Sequence, residues 1–131
     1  MDKKKCIVDK YSTVYCFDIY VILNPDKNVI DKQFEWIEDH TSILDDKYST
    51  YTAYTVSGAW DKKEKKDCVI IVLNTLKDDV DNMNTFAHES LHAAMDILSS
   101  CGVKYSEDSA EAYAYLVGYI AECVYKTSKK A

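Results

Sequence analysis

The sequence predicts a single α+β domain, with a small antiparallel or mixed sheet first and a pair of helices last. Three observations support this prediction. Two blocks are rich in Val, Ile and Tyr, the run Cys68–Leu73 is continuously apolar, and two stretches near the carboxyl end carry apolar residues at helical spacing. We expect the order β-α-β-β-α-α over residues 1–131, because 131 residues suffice for one hydrophobic core.

The first strand and the first helix are predicted in the amino-terminal third. Tyr11–Leu23 is rich in Val, Ile, Tyr and Phe and ends just before Pro25, as a strand followed by a turn does. Asp31–Ile43 has apolar residues near helical spacing, which predicts a helix that backs the sheet. These residues are Phe34, Trp36, Ile37 and, less clearly, Leu44.

A β-hairpin is predicted in the middle of the chain. Tyr48–Trp60 alternates Tyr, Thr, Ala and Val, the pattern of a half-buried strand, and Asp67–Asn74 contains the continuous apolar run of a strand buried on both faces. The charged segment Asp61–Lys66 is expected to be the turn between them.

Two long helices are predicted at the carboxyl end. Asp81 or Asn82 would cap the first, which carries one apolar stripe and ends near Gly102. The second is expected to begin at Ser106 and to run to about Tyr125.

Composition excludes several classes of function. The formal net charge of −6 makes nucleic acid a poor partner. The five cysteines are odd in number and lack C-x-x-C spacing, so we expect no disulfide scaffold and a reducing compartment. The segment Met1–Asp9 lacks the apolar stretch of a signal peptide, and no segment approaches the roughly 20 apolar residues of a membrane span. We therefore expect a cytoplasmic protein without a membrane partner.

The first of the two predicted helices contains the motif H-E-x-x-H, formed by His88, Glu89 and His92. Side chains four residues apart on a helix lie on one face, so both imidazoles can reach one Zn²⁺ ion. Glu89 would then act as general base on a water that the zinc activates. His40, the third histidine, is expected to be an ordinary surface residue.

A catalytic zinc needs a third protein ligand, and no further histidine follows His92. We therefore expect a carboxylate from the next helix, and Glu111, early in that helix, is our first choice. The alternatives are Glu107, Asp108 and Glu122.

The motif and the downstream segment Glu111–Tyr115 resemble the gluzincins, the zinc peptidases with H-E-x-x-H and a distant glutamate ligand. The likeness covers roughly residues 82–125 and extends more loosely to small zincin-like proteins of phages and prophages. It implies a zincin-like fold, with an active-site helix followed by a glutamate helix. It also implies zinc ligation by His88, His92 and Glu111, with Glu89 as general base. Asp96 matches an acid that supports the site in some gluzincins.

One position departs from the family pattern. Some gluzincins place an aspartate four residues after the glutamate ligand, and here that residue is Tyr115. Support for the histidines would then come from Asp96, Asp108 or a backbone carbonyl. Tyr115 is also a candidate for stabilising an oxyanion, beside the alternative that it packs against the preceding helix.

These observations predict a zinc metalloendopeptidase, a hydrolase that cleaves a peptide or protein substrate. The resemblance implies that Tyr51–Ala59 is the edge strand that holds an extended peptide, with Asp67–Leu73 inside it. Two alternatives stay open. One is a zinc-binding interaction or inhibitory module of the same fold without catalysis, and the other is a zinc hydrolase acting on a non-peptide amide.

Overall fold

A mixed five-stranded sheet carries two long helices on one of its faces. The computed structural model describes residues 4–131, so residues 1–3 of the segment considered for a signal peptide lie outside it. The strands are β1 (Ile7–Ser12), β2 (Asp18–Leu23), β3 (Phe34–Trp36), β4 (Ala53–Asp61) and β5 (Lys66–Leu73), and the helices are α1 (Lys27–Ile30), α2 (Asp79–Ser100) and α3 (Ala110–Ser128). The strand order is β1-β2-β5-β4-β3, with β2 and β5 parallel and the other pairs antiparallel.

The central strand β5 separates two hydrophobic cores. Val69, Ile71 and Leu73 point toward α2 and α3, where they join one buried cluster. Cys68, Ile70 and Val72 alternate with them and join a second cluster on the opposite face of the sheet. The prediction that Cys68–Leu73 is buried on both faces is therefore confirmed.

The stretch Tyr11–Leu23 forms two strands, so the prediction of one strand is wrong. β1 and β2 pair antiparallel around a turn at residues 13–17. The Thr13 hydroxyl donates to the Phe17 carbonyl at 2.7 Å, lies 3.1 Å from the Tyr15 carbonyl oxygen, and accepts from the Tyr15 N–H at 3.1 Å. Such local hydrogen bonds between side chain and backbone replace the inter-strand hydrogen bonds of the sheet, and the chain turns here.

The helix predicted over Asp31–Ile43 is also wrong. One helical turn, α1, lies earlier in the chain, and Phe34–Trp36 forms the short strand β3 against Ala59–Asp61. Phe34 is buried with its ring 4.7 Å from that of Tyr20. The segment covers the second face of the sheet as strand and loop, because pairing with β4 outweighs a weak helical periodicity.

The predicted hairpin is confirmed as β4 and β5, joined by a turn at residues 62–65. β4 begins only at Ala53, after a 3-10 turn at Asp46–Tyr48. A bulge lies between Val56 and Ala59, where Gly58 has a φ of +78°, a conformation that favours glycine.

Both long helices are confirmed with shifted ends. Asp78, rather than Asp81 or Asn82, caps α2 by accepting from the Asp81 N–H at 2.9 Å. α3 begins at Ala110 instead of Ser106 and continues to Ser128. In the described chain, neither helix has the length and hydropathy to span a membrane.

Candidate metal centre

The H-E-x-x-H motif of helix α2 lies next to β4. Phe86, Ala93 and Ile97 pack on the sheet and anchor the helix. Glu89 lies at the edge of this buried side and is only 8% exposed, whereas His88 and His92 are exposed. The local helix therefore places all three predicted motif residues around one point, with the carboxylate deepest.

The two histidines converge. Their Nε2 atoms are 3.2 Å apart, and their ring centroids are 4.8 Å apart. Two nitrogens bound to one tetrahedral Zn²⁺ at about 2.0–2.1 Å would lie about 3.3 Å from each other. This half of the site fits a zinc ion, although the same spacing also lets one neutral ring donate a hydrogen bond to the other.

Glu89 is held by a residue of the neighbouring strand. The Thr55 hydroxyl donates to Glu89 Oε1 at 2.8 Å and lies 3.2 Å from the Glu89 carbonyl oxygen. The other carboxylate oxygen, Oε2, is 3.8 Å from His88 Nε2. One oxygen is thus fixed by the protein, while the second lies near His88.

A shallow cleft of about 360 Å³ opens over these residues. Its walls come from α2, from β4 and from three tyrosines that precede or begin β4. Tyr48 stacks on Tyr54 with the ring centroids 4.9 Å apart, and the Tyr54 hydroxyl donates to the Ile43 carbonyl at 3.0 Å. Burial raises the pKa of Tyr54 to about 12, so this phenol is neutral at physiological pH.

The strand beside the cleft has a free edge. β5 pairs with one side of β4, and β3 pairs with its other side only at Ala59–Asp61. Among residues 4–131 no strand pairs with the outer side of Ala53–Val56. The edge-strand prediction for Tyr51–Ala59 therefore holds at Ala53–Val56 and fails at Ala59, while the interior position of Asp67–Leu73 is confirmed.

Glu111 lies apart from the histidines. It is exposed in the first turn of α3, and no residue of α3 lines the cleft. Within the described chain, no three His, Cys, Asp or Glu side chains are grouped closely enough to hold a metal ion. The structure thus brings together the motif but not the predicted third ligand.

The alternative carboxylates are also outside the cleft. Glu107 and Asp108 precede α3 and are exposed, and Glu122 pairs with Lys126 at 3.0 Å. The third ligand therefore stays a prediction.

The two supporting residues proposed from sequence have other neighbours. Burial raises the pKa of the Asp96 carboxyl, and hydrogen bonding with Ser57 of β4 opposes that rise. Tyr115 is 77% exposed and lines an apolar groove with the β1–β2 turn. Asp96 thus lies where α2 meets β4, and Tyr115 neither lines the cleft nor packs into the core.

Sequence reasoning missed the role of Thr55. Its contact with Glu89 links residues 34 positions apart, and nothing in the spacing of either segment signals it. The alternating strand pattern does indicate that Thr55 lies on one face of β4, but the register between strand and helix is a tertiary property.

Comparison with known proteins finds no matching family model, no similar curated protein and no similar solved structure.

Proposed function

We propose that this protein is a zinc-dependent metallopeptidase of zincin type. The observation that supports the proposal best is the convergence of the His88 and His92 Nε2 atoms to 3.2 Å beside the Glu89 carboxylate. His88 and His92 would hold the ion. When bound, zinc would polarise the scissile carbonyl and lower the pKa of a water molecule.

Glu89 is the proposed general base. Thr55 fixes Oε1 at 2.8 Å, and this leaves Oε2 free to take a proton from the attacking water. The residue is buried and held between helix and strand, so its carboxylate needs little reorganisation as the proton moves. After bond cleavage the same oxygen would return the proton to the leaving amine.

Glu111 is kept as the proposed third ligand on the strength of the resemblance. Because it lies on α3 outside the cleft, it would have to approach the histidines when zinc binds. Glu111→Ala is expected to lose zinc. Retention of zinc would assign the ligand to Glu107, Asp108 or Glu122 instead, without affecting the two histidines.

The proposed substrate is an extended peptide. The free edge of Ala53–Val56 offers backbone N–H and C=O groups beside the motif, and a peptide can add to such an edge as a further strand. The cleft is shallow and walled by tyrosines, which suits a segment of a protein substrate laid along the surface.

A zinc-binding interaction module without catalysis is the second candidate. The observation behind it is the exposed histidine pair, which residues 4–131 do not complete with a third metal-binding side chain. The retained, buried Glu89 favours catalysis, because a purely structural zinc has no use for a base beside it.

Glu89→Gln distinguishes the two candidates. We expect this variant to bind zinc like the wild type and to lose at least about 100-fold in hydrolysis of a peptide library, because an amide cannot accept the proton. The measurement is mass spectrometry of cleavage products from zinc-loaded proteins. Equal cleavage by both proteins, or no cleavage by zinc-loaded wild type, would contradict the peptidase proposal.

A further inference from the structure

The histidine pair belongs to an exposed stripe along helix α2. The members of the stripe lie at helical spacing on one side and are all exposed: His88, Leu91, His92 and Met95. Leu91 and Met95 are each 47% exposed, and neither belongs to a hydrophobic core of the described chain. The opposite side of the helix packs on the sheet and on α3. The two histidines are therefore flanked by apolar side chains that face water.

The pair supplies half of a tetrahedral metal site. The His88 and His92 Nε2 atoms are 3.2 Å apart, close to the separation of two nitrogen ligands on one zinc ion. A structural zinc site takes four protein ligands. Residues 4–131 do not add a third metal-binding side chain to the pair. Two copies of the chain that met through this stripe would supply four imidazoles, which is a complete set.

We propose that one zinc ion bridges two copies of this protein through His88 and His92 of each copy. The bridged dimer is a closed form of the metal site, because four imidazoles leave no position for water or for a substrate carbonyl. Separation of the copies would expose the pair again beside Glu89. The inference rests on zinc binding by the two histidines, which is part of the proposed function, but it does not require that the protein cleave peptides.

The surroundings of the pair suit a contact between identical copies. Leu91 and Met95 flank the histidines, and each would pack against the stripe of the other copy, because a two-fold contact uses the same surface twice. No member of the stripe is an acidic residue, a lysine or an arginine. The contact therefore brings no fixed like charges together at its centre.

The metal is expected to be essential to the dimer. A stable protein interface buries about 1,200–2,000 Å² of surface, and a stripe of four partly exposed side chains is much smaller. Each chain also has a formal net charge of −6, so two copies repel each other unless a cation lies between them. We therefore expect monomers without zinc and dimers with it.

The test is native mass spectrometry, beside light scattering, of the full-length protein at increasing zinc. With half an equivalent of zinc we expect a dimer that holds one ion per two chains, and EDTA should return the monomer. Zinc in excess should also return the monomer, now with one ion per chain, because each histidine pair then holds its own ion. His40→Ala should behave like wild type, since His40 lies outside the stripe and pairs with Glu35.

Leu91→Glu tests the contact without removing a zinc ligand. It would place a carboxylate of each copy within the contact, so we expect the dissociation constant of the dimer to rise at least about 10-fold while the monomer still binds zinc. Met83→Glu is the matched control, because Met83 is exposed on α2 but lines the groove toward α3. It should dimerise like wild type, and equal weakening in both variants would contradict a contact through the stripe.

Three further results would overturn the inference. They are a wild-type monomer that holds zinc at half an equivalent, a dimer that persists in EDTA, and a zinc-dependent dimer of His92→Ala. The first result leaves the peptidase proposal intact, whereas a wild type that binds no zinc contradicts both proposals. Because the decisive readings come from the wild-type protein, a variant that fails to fold would not obscure the outcome.

Discussion

Thr55 and Glu89 show how a single side-chain contact prepares the proposed chemistry. A free glutamate on a helix samples several rotamers, but the Thr55 hydroxyl holds Oε1 at 2.8 Å and leaves Oε2 directed at the histidine pair. Positioning of this kind is typically responsible for about 10–100-fold of activity or metal affinity at metal sites. In the proposed mechanism Thr55 would thus be a positioning residue, since it would act through Glu89.

Thr55→Val tests that role. Valine keeps the shape and the strand preference of threonine but removes the hydroxyl, so we expect zinc content to be unchanged and kcat to fall about 10-fold. The measurement is steady-state kinetics beside zinc analysis. Thr55→Ser, which retains the hydroxyl, should recover most of kcat. Equal kcat in the valine and threonine proteins would show that Glu89 needs no support from Thr55.

At the scale of elements, the candidate site lies where α2 packs against β4. Glu89 and Asp96 lie on the same side of the helix, and Glu89 accepts a hydrogen bond from Thr55 of the strand. The same strand leaves its outer edge unpaired at Ala53–Val56. The proposed general base and the proposed peptide-binding edge therefore lie on neighbouring elements in contact, which would keep a bound peptide in register with Glu89.

Tyr51→Ala tests whether a peptide substrate binds along β4 in this cleft. Tyr51 is half-exposed and lines the cleft, so we expect its removal to raise KM several-fold and to leave kcat nearly unchanged. Tyr125→Ala is the matched control, because Tyr125 is similarly exposed but lies on α3 away from the cleft. An unchanged KM for Tyr51→Ala, or an equal rise in both variants, would count against binding along β4.

At the scale of the whole molecule, the sheet is covered on two faces by different means. The helices α2 and α3 cover one face, while a segment between β2 and β4, without a long helix, covers the other. In that segment Ile43 is fully buried and Ile37 is 39% exposed. The second face therefore depends on particular anchor residues in a strand-and-loop segment.

A pair of isoleucine variants tests this architecture. Ile43→Ala is expected to lower the free energy of unfolding by about 2–4 kcal/mol, because it leaves a cavity in the second core. Ile37→Ala should change it by less than about 1 kcal/mol, because that side chain is already partly in water. Urea denaturation measures both. Similar losses in the two variants would indicate that the segment folds as the helix the sequence suggests.

Local patterns in the sequence were sufficient for the parts of the fold that depend on near neighbours. The apolar run Cys68–Leu73 and the charged turn after Asp61 predicted the β4–β5 hairpin, and the spacing of His88 and His92 predicted that their rings converge. Each of these features depends on residues close together in the chain, so periodicity and turn chemistry suffice to reveal it.

Features that depend on distant pairing could not be predicted in the same way. Phe34 and Ile37 mimic helical spacing, yet the pairing of β3 with β4 decides their structure. The position of Glu111 depends on how α3 packs against α2.

Zinc per chain, measured by elemental analysis, tests the central claim most directly. After zinc is added and excess is removed, we expect about one zinc in wild type and far less than one in His88→Ala and His92→Ala. His40→Ala should retain wild-type zinc, because His40 is exposed and pairs with Glu35 at 2.9 Å. Wild type without zinc after this treatment, or an equal loss in His40→Ala, would contradict a metal site at the histidine pair of α2.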